Sequence, residues 1–129
     1  MDNKRFVREV HSMRERLGHG PKLVRGARGQ LSWHVDVYQE GQHLPIAIVY
    51  PEDFPWSPPR ILSRVSLPAD TPHLMGNELC WHSHGARDRS ENTWDPAHDT
   101  ATMCVGVARR WLLAFLVYLT LGTWPEPES

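Results

Sequence analysis

The sequence predicts an α+β domain in which helices pack on an antiparallel sheet. Three observations lead there. A leading segment spaces its apolar residues at helical intervals, two consecutive segments alternate with period two across a short turn, and a closing apolar segment returns to helical spacing. At 129 residues the chain fits one domain, residues 1–129, large enough to bury a single core.

The elements follow in order. Asp2 or Asn3 caps a first helix whose stripe is Phe6, Val10, Met13 and Leu17. Arg5, Arg8, Glu9, Arg14, Glu15 and Arg16 fall on the other face, and Gly18, Gly20 and Pro21 stop the helix. A short strand is expected from Lys22 to Arg28. Leu31, Trp33, Val35 and Val37 then alternate with Ser32, His34, Asp36 and Tyr38, and after the Glu40-Gly41-Gln42 turn the alternation resumes through Leu44, Ile46, Ile48 and Tyr50. These two strands should form an antiparallel hairpin. The segment Pro51 to Pro59 carries four prolines, which forbid a ladder and stiffen the chain into an extended crossing. A fourth strand, Arg60 to Leu67, completes a four-stranded meander. Pro68 to Pro96 lacks periodicity, and a long irregular segment in a small domain marks function or disorder. A final helix, capped by Asp99 or Thr100, runs to about Leu121 with Met103, Val107, Trp111, Ala114, Tyr118 and Leu121 on its apolar side. Gly122 ends it, and Trp124 to Pro127 forms a rigid tail.

Composition excludes more than it selects. Fourteen basic and 15 acidic residues give a net charge of −1, so no basic footprint for nucleic acid is present. Two cysteines, Cys80 and Cys104, do not make a disulfide framework. Met1 to Arg16 lacks the apolar core of a signal peptide. The run Trp111 to Leu121 is shorter than the roughly 20 residues of a bilayer span. The expectation is a cytoplasmic protein with no membrane partner.

Cys80 is the residue that points to chemistry. It lies in Asn77-Glu78-Leu79-Cys80-Trp81-His82-Ser83-His84, inside the irregular segment and with His73 upstream. Loop residues carry function out of proportion to their number. Nucleophile, metal ligand and packing residue are the three roles open to its thiol. Cys104, among Met103 and Val107 on the final helix, reads as core.

The ordered set of features resembles the ubiquitin-conjugating enzymes. Tyr50-Pro51-Glu52-Asp53-Phe54-Pro55-Trp56-Ser57-Pro58-Pro59, then Leu79-Cys80-Trp81, then Trp94-Asp95-Pro96 before a helix, match that family's landmarks in sequence order from Asp2 to about Gly122. Two departures stand out. The family's His-Pro-Asn motif is absent, its nearest counterpart being His73-Leu74-Met75, and the two extra C-terminal helices of eukaryotic members are missing. The ending from Trp111 to Pro125 is similar to bacterial members found in antiphage defence operons.

The resemblance implies a transferase that carries the C-terminus of a ubiquitin-like or similarly tailed protein as a Cys80 thioester and passes it to an amine. It implies an activating enzyme, a target protein and a tailed client such as a cyclic-nucleotide synthase as partners, with no cofactor and no resident metal. His82 and His84 are candidates to support the thiolate, because they share a face with Cys80 in extended chain. Asn77 or His73 would replace the family asparagine at the oxyanion. Asp95 or Asp99 would orient an incoming lysine and take its proton if packing raised its pKa. Two alternatives remain: a catalytically inactive binding module of the same fold, and a small zinc domain built on Cys80, His82 and His84 with His98 or Cys104.

Overall fold

A computed structural model describes residues 1–80 and 94–125. The element order is α1 (Asn3–Leu17), β1 (Lys22–Arg25), a short 3-10 turn (Ala27–Gly29), β2 (Leu31–Gln39), β3 (Gln42–Val49), β4 (Arg60–Ser63), β5 (Leu74–Met75), β6 (Glu78–Leu79) and α2 (Met103–Leu121). The strands form one antiparallel sheet in the order β1-β2-β3-β4-β6-β5. The α+β class and the central hairpin are as expected, with Trp33 opposite Ile48 and Val35 opposite Ile46.

Among the described residues the sheet has six strands rather than four. The additional pair, β5 and β6, is a hairpin of two residues per strand inside the segment expected to be irregular. Strands this short register no periodicity. The local signal is the Gly76-Asn77 tip, where Gly76 takes the positive φ of 65° that a tight hairpin turn requires.

Two predicted strands end early for local reasons. β1 stops at Arg25, and Arg28 enters the left-handed region at φ 63° within the 3-10 turn. β4 stops at Ser63, whose hydroxyl donates to the Val65 carbonyl at 2.6 Å and turns the chain. The final helix starts later than its predicted caps. Residues 95–102 form turns instead, closed by Asp99 N–H to the Asp95 carbonyl at 2.9 Å and Met103 N–H to the Thr100 carbonyl at 3.1 Å.

Inward residues of β2 and β3 (Trp33, Val35, Val37, Leu44, Ile46, Ile48) form the core with Met13 of α1 and Cys104, Ala108 and Trp111 of α2. Cys104 is fully buried, as the sequence reading expected. The α1 stripe is rotated from its predicted position. Phe6, Val10 and Leu17 are half-buried and Val7 is exposed, while Arg5, Glu9 and Met13 are buried.

Placing Arg5 and Glu9 on the solvent face is therefore corrected by a buried polar network. Glu9 Oε1 accepts from the Tyr50 hydroxyl at 2.9 Å and from Ala101 N–H at 2.8 Å, and Glu9 Oε2 accepts from Arg5 Nε at 3.1 Å. Trp33 Nε1–H donates to the Tyr50 oxygen at 2.8 Å. Each polar atom finds a partner, which is the condition for burying charge without a large penalty. Burial and the Glu9 carboxylate together push the Tyr50 hydroxyl far above its ordinary pKa.

α2 spans 19 residues and is apolar nearly all round. By length and composition it meets the requirement for crossing a membrane. The predicted apolar run from Trp111 was shorter because it omitted the first two turns. The inner side of the helix nonetheless belongs to the core, through Cys104, Val107, Ala108, Trp111, Leu112 and Phe115.

Candidate functional site at Cys80

Cys80 follows β6 directly and is solvent-exposed with a free thiol. Its backbone is held in place. Cys80 N–H donates to the His73 carbonyl at 2.9 Å, extending the β5–β6 ladder by one pair. The same carbonyl accepts Trp111 Nε1–H at 3.0 Å. Both lone pairs of one oxygen are thus engaged, one by the cysteine's backbone and one by α2. His73 itself sits at φ 56°, and its ring packs against Trp124 at 5.2 Å. Trp124 in turn contacts Trp111 at 5.4 Å and Tyr118 at 6.1 Å.

Trp94 is pinned as well. Trp94 Nε1–H donates to the Pro55 carbonyl at 2.7 Å, and its ring lies 5.8 Å from that of Phe54. Arg5 donates to the Pro96 carbonyl at 2.8 Å and to the Asp99 carbonyl, while its guanidinium lies 4.9 Å over the Phe54 ring. The proline crossing and the Trp94-Asp95-Pro96 turn are therefore one packed unit, tied to α1 through Arg5.

Burial, and secondly the Glu78 carboxylate, push the Cys80 thiol up from its ordinary value. Glu78 lies two residues before Cys80 on the same strand parity, so both side chains leave on one side. Glu78 is itself paired with Arg60, at 3.1 and 2.9 Å to Nε and Nη2.

The other predicted site residues are placed as follows. His82 and His84 lie outside the described residues. Asn77 stands at the tip of the β5–β6 hairpin, the opposite end from Cys80, and its amide reaches the Ser63 carbonyl at 3.4 Å. His73 adjoins Cys80 through its carbonyl, which accepts a hydrogen bond rather than supplying one. The exposed Asp95 carboxylate accepts from His98 Nδ1 at 2.8 Å and from Ala97 N–H at 3.0 Å. Those bonds, the His98 one foremost, lower its pKa, where a proton acceptor for lysine called for a raised one. Asp99 accepts from Asp95 N–H at 2.7 Å and serves the turn.

Of the fourth zinc ligands considered, Cys104 is sealed in the core and His98 is paired with Asp95. No group of three or more His, Cys, Asp or Glu side chains converges among the described residues.

Two residues around Cys80 escaped the sequence reading. Trp111 registered only as apolar surface, although a buried indole N–H needs an acceptor. Glu78 shares the parity that singled out His82 and His84. No family model, curated protein or solved structure matches the chain.

Proposed function

We propose that the protein is an acyl carrier of the ubiquitin-conjugating type, working through Cys80. The observation that carries this reading is an exposed Cys80 thiol on backbone fixed at the His73 carbonyl, with the Trp94 landmark likewise pinned at the Pro55 carbonyl. The Tyr50–Pro59 crossing and the Trp94-Asp95-Pro96 turn, whose resemblance motivated the assignment, pack against each other and support it.

In this reading Cys80 Sγ attacks the carbonyl of an incoming C-terminal thioester. The new C–S bond forms as the donor thiolate departs. A target amine then attacks the same carbonyl, loses its proton, and releases the Cys80 thiolate. The donor is a ubiquitin-like or similarly tailed protein, a cyclic-nucleotide synthase among the candidate clients. An activating enzyme loads the thiol, and bacterial antiphage defence in the cytoplasm is the proposed setting.

The test presents the protein with a ubiquitin-like protein activated as its C-terminal glycyl thioester. An adduct cleaved by hydroxylamine but resistant to a phosphine reductant is expected, lost in Cys80→Ala and kept in Cys104→Ala. An adduct that survives Cys80→Ala overturns the assignment. One observation favours a second reading, a binding module of the same kind without chemistry: the thiol is pushed up, away from the thiolate that attack requires. That reading predicts noncovalent capture of the tailed protein, unaffected by Cys80→Ala.

A further inference from the structure

We infer that the open edge of β1 docks an extended acidic peptide of a partner protein, which adds a strand to the sheet. The sheet ends at β1, whose four residues are exposed apart from the half-buried Val24. Register decides which backbone groups face outward, because bonded and non-bonded pairs alternate along an antiparallel ladder. Gly26 N–H donates to the Gln30 carbonyl at 2.7 Å, in phase with the pairs Val24–Ser32 and Lys22–His34. On the other side of β2, Tyr50 N–H donates to the Leu31 carbonyl at 3.0 Å, so Leu31 turns its backbone toward β3. Leu23 and Arg25, opposite Trp33 and Leu31, therefore point N–H and C=O away from β2. Among the described residues those groups meet no hydrogen-bond partner.

Charge selects the occupant. From Arg16 to Val35 the chain carries Arg16, Lys22, Arg25 and Arg28 and no acidic residue. Lys22, Arg25 and Arg28 are exposed, and none forms a salt bridge among the described residues. Side chains alternate between the faces of a strand, so Lys22 flanks the edge on one face of the sheet and Arg25 on the other. A second copy pairing through β1 would set cation against cation in either direction, the repulsion by which proteins guard exposed edges. A segment with two carboxylates three residues apart turns that repulsion into attraction, one carboxylate opposite Lys22 and one opposite Arg25. Two β-branched residues between them would stand beside Leu23 and Val24. The pattern acid-apolar-apolar-acid reads the same in both strand directions.

Main-chain bonds supply the affinity of such an added strand, and side chains supply its selection. The bonds are few and the ion pairs exposed, so the complex is weak, with Kd on the order of 10–100 micromolar.

The test titrates the full chain into a fluorescein-labelled peptide, Thr-Thr-Glu-Val-Val-Glu-Thr-Thr, and follows polarisation. Saturable binding is expected, at least tenfold weaker when Lys22→Glu and Arg25→Glu are combined, with folding checked by circular dichroism. Two readouts need no variant. The Leu23 and Arg25 amides gain protection from hydrogen exchange on binding, whereas those of Lys22 and Val24, already bonded to β2, stay as they were. The same peptide N-methylated at both valines keeps its charge but cannot complete the ladder, and binds at least tenfold more weakly. Equal binding of the N-methylated peptide, or of one carrying Lys-Val-Val-Lys, overturns the inference, as does no binding up to about 1 millimolar. Oligothymidylate that binds tighter than the peptide and is lost in the charge-reversed variant also overturns it, and assigns the cations to nucleic acid.

Discussion

Burial, and secondly the Glu78 carboxylate two residues away on the same strand parity, hold back the Cys80 thiol. Its folded-state pKa is raised, so the thiolate is scarce at neutral pH and grows only as the solution passes above the ordinary thiol range. Iodoacetamide alkylation should follow that profile. Glu78→Gln removes the negative charge and leaves the Arg60 guanidinium nearby, so alkylation at pH 7 should rise by about threefold. An unchanged or slower rate would show that burial alone controls the thiol. At this scale the sequence identified Cys104 as core, because Met103 and Val107 lie around it on an apolar helix face. It missed the partners of Cys80, since a backbone carbonyl such as that of His73 has no signature in a string of side chains.

Between elements, the joint that matters is the one between α2 and the β5–β6 hairpin. It rests on Trp111 Nε1–H and the His73 carbonyl, reinforced by Trp124 against His73. Trp111→Phe keeps an aromatic side chain but removes the donor and the volume of one ring, at a cost of about 2–3 kcal/mol. The Cys80 amide should then exchange with solvent about fivefold faster, while β2 and β3 amides change less. Equal acceleration everywhere would mean that Trp111 supports only the global fold. The long elements were legible because eight or more residues of alternation, or four turns of helix, average out local exceptions. β5 and β6 were not, and neither was the start of α2, where residues 95–102 satisfy their backbone through turns that a cap-seeking reading mistakes for helix.

Across the whole molecule, Glu9 joins α1, the exit of β3 at Tyr50 and the approach to α2. It accepts three hydrogen bonds in the core, from Arg5, Tyr50 and Ala101. Glu9→Ala leaves the buried Arg5 charge and the Tyr50 hydroxyl short of an acceptor, which should cost about 3–5 kcal/mol. A single cooperative urea transition shifted to lower concentration is the expected result. A loss under about 1 kcal/mol would mean that water replaces the carboxylate freely. Helical periodicity could not reveal this, because a charged pair one turn apart on an amphipathic helix ordinarily faces solvent. The correct rotation of α1 is fixed by Tyr50 and Ala101, which are far away along the chain.

That distance bears on how the protein is made. Arg5 bonds to carbonyls 91 and 94 residues further on, and Ser12 to hydroxyls 88 and 90 residues further on. During synthesis α1 emerges before the sheet and α2, yet cannot bury its charged pair until the segment preceding α2 has left the ribosome. The central hairpin can close as soon as β3 appears, since its contacts are local. Of the described elements, the earliest made is therefore among the last to be seated, and a chain stalled before Ala101 would display Arg5 and Glu9 to water.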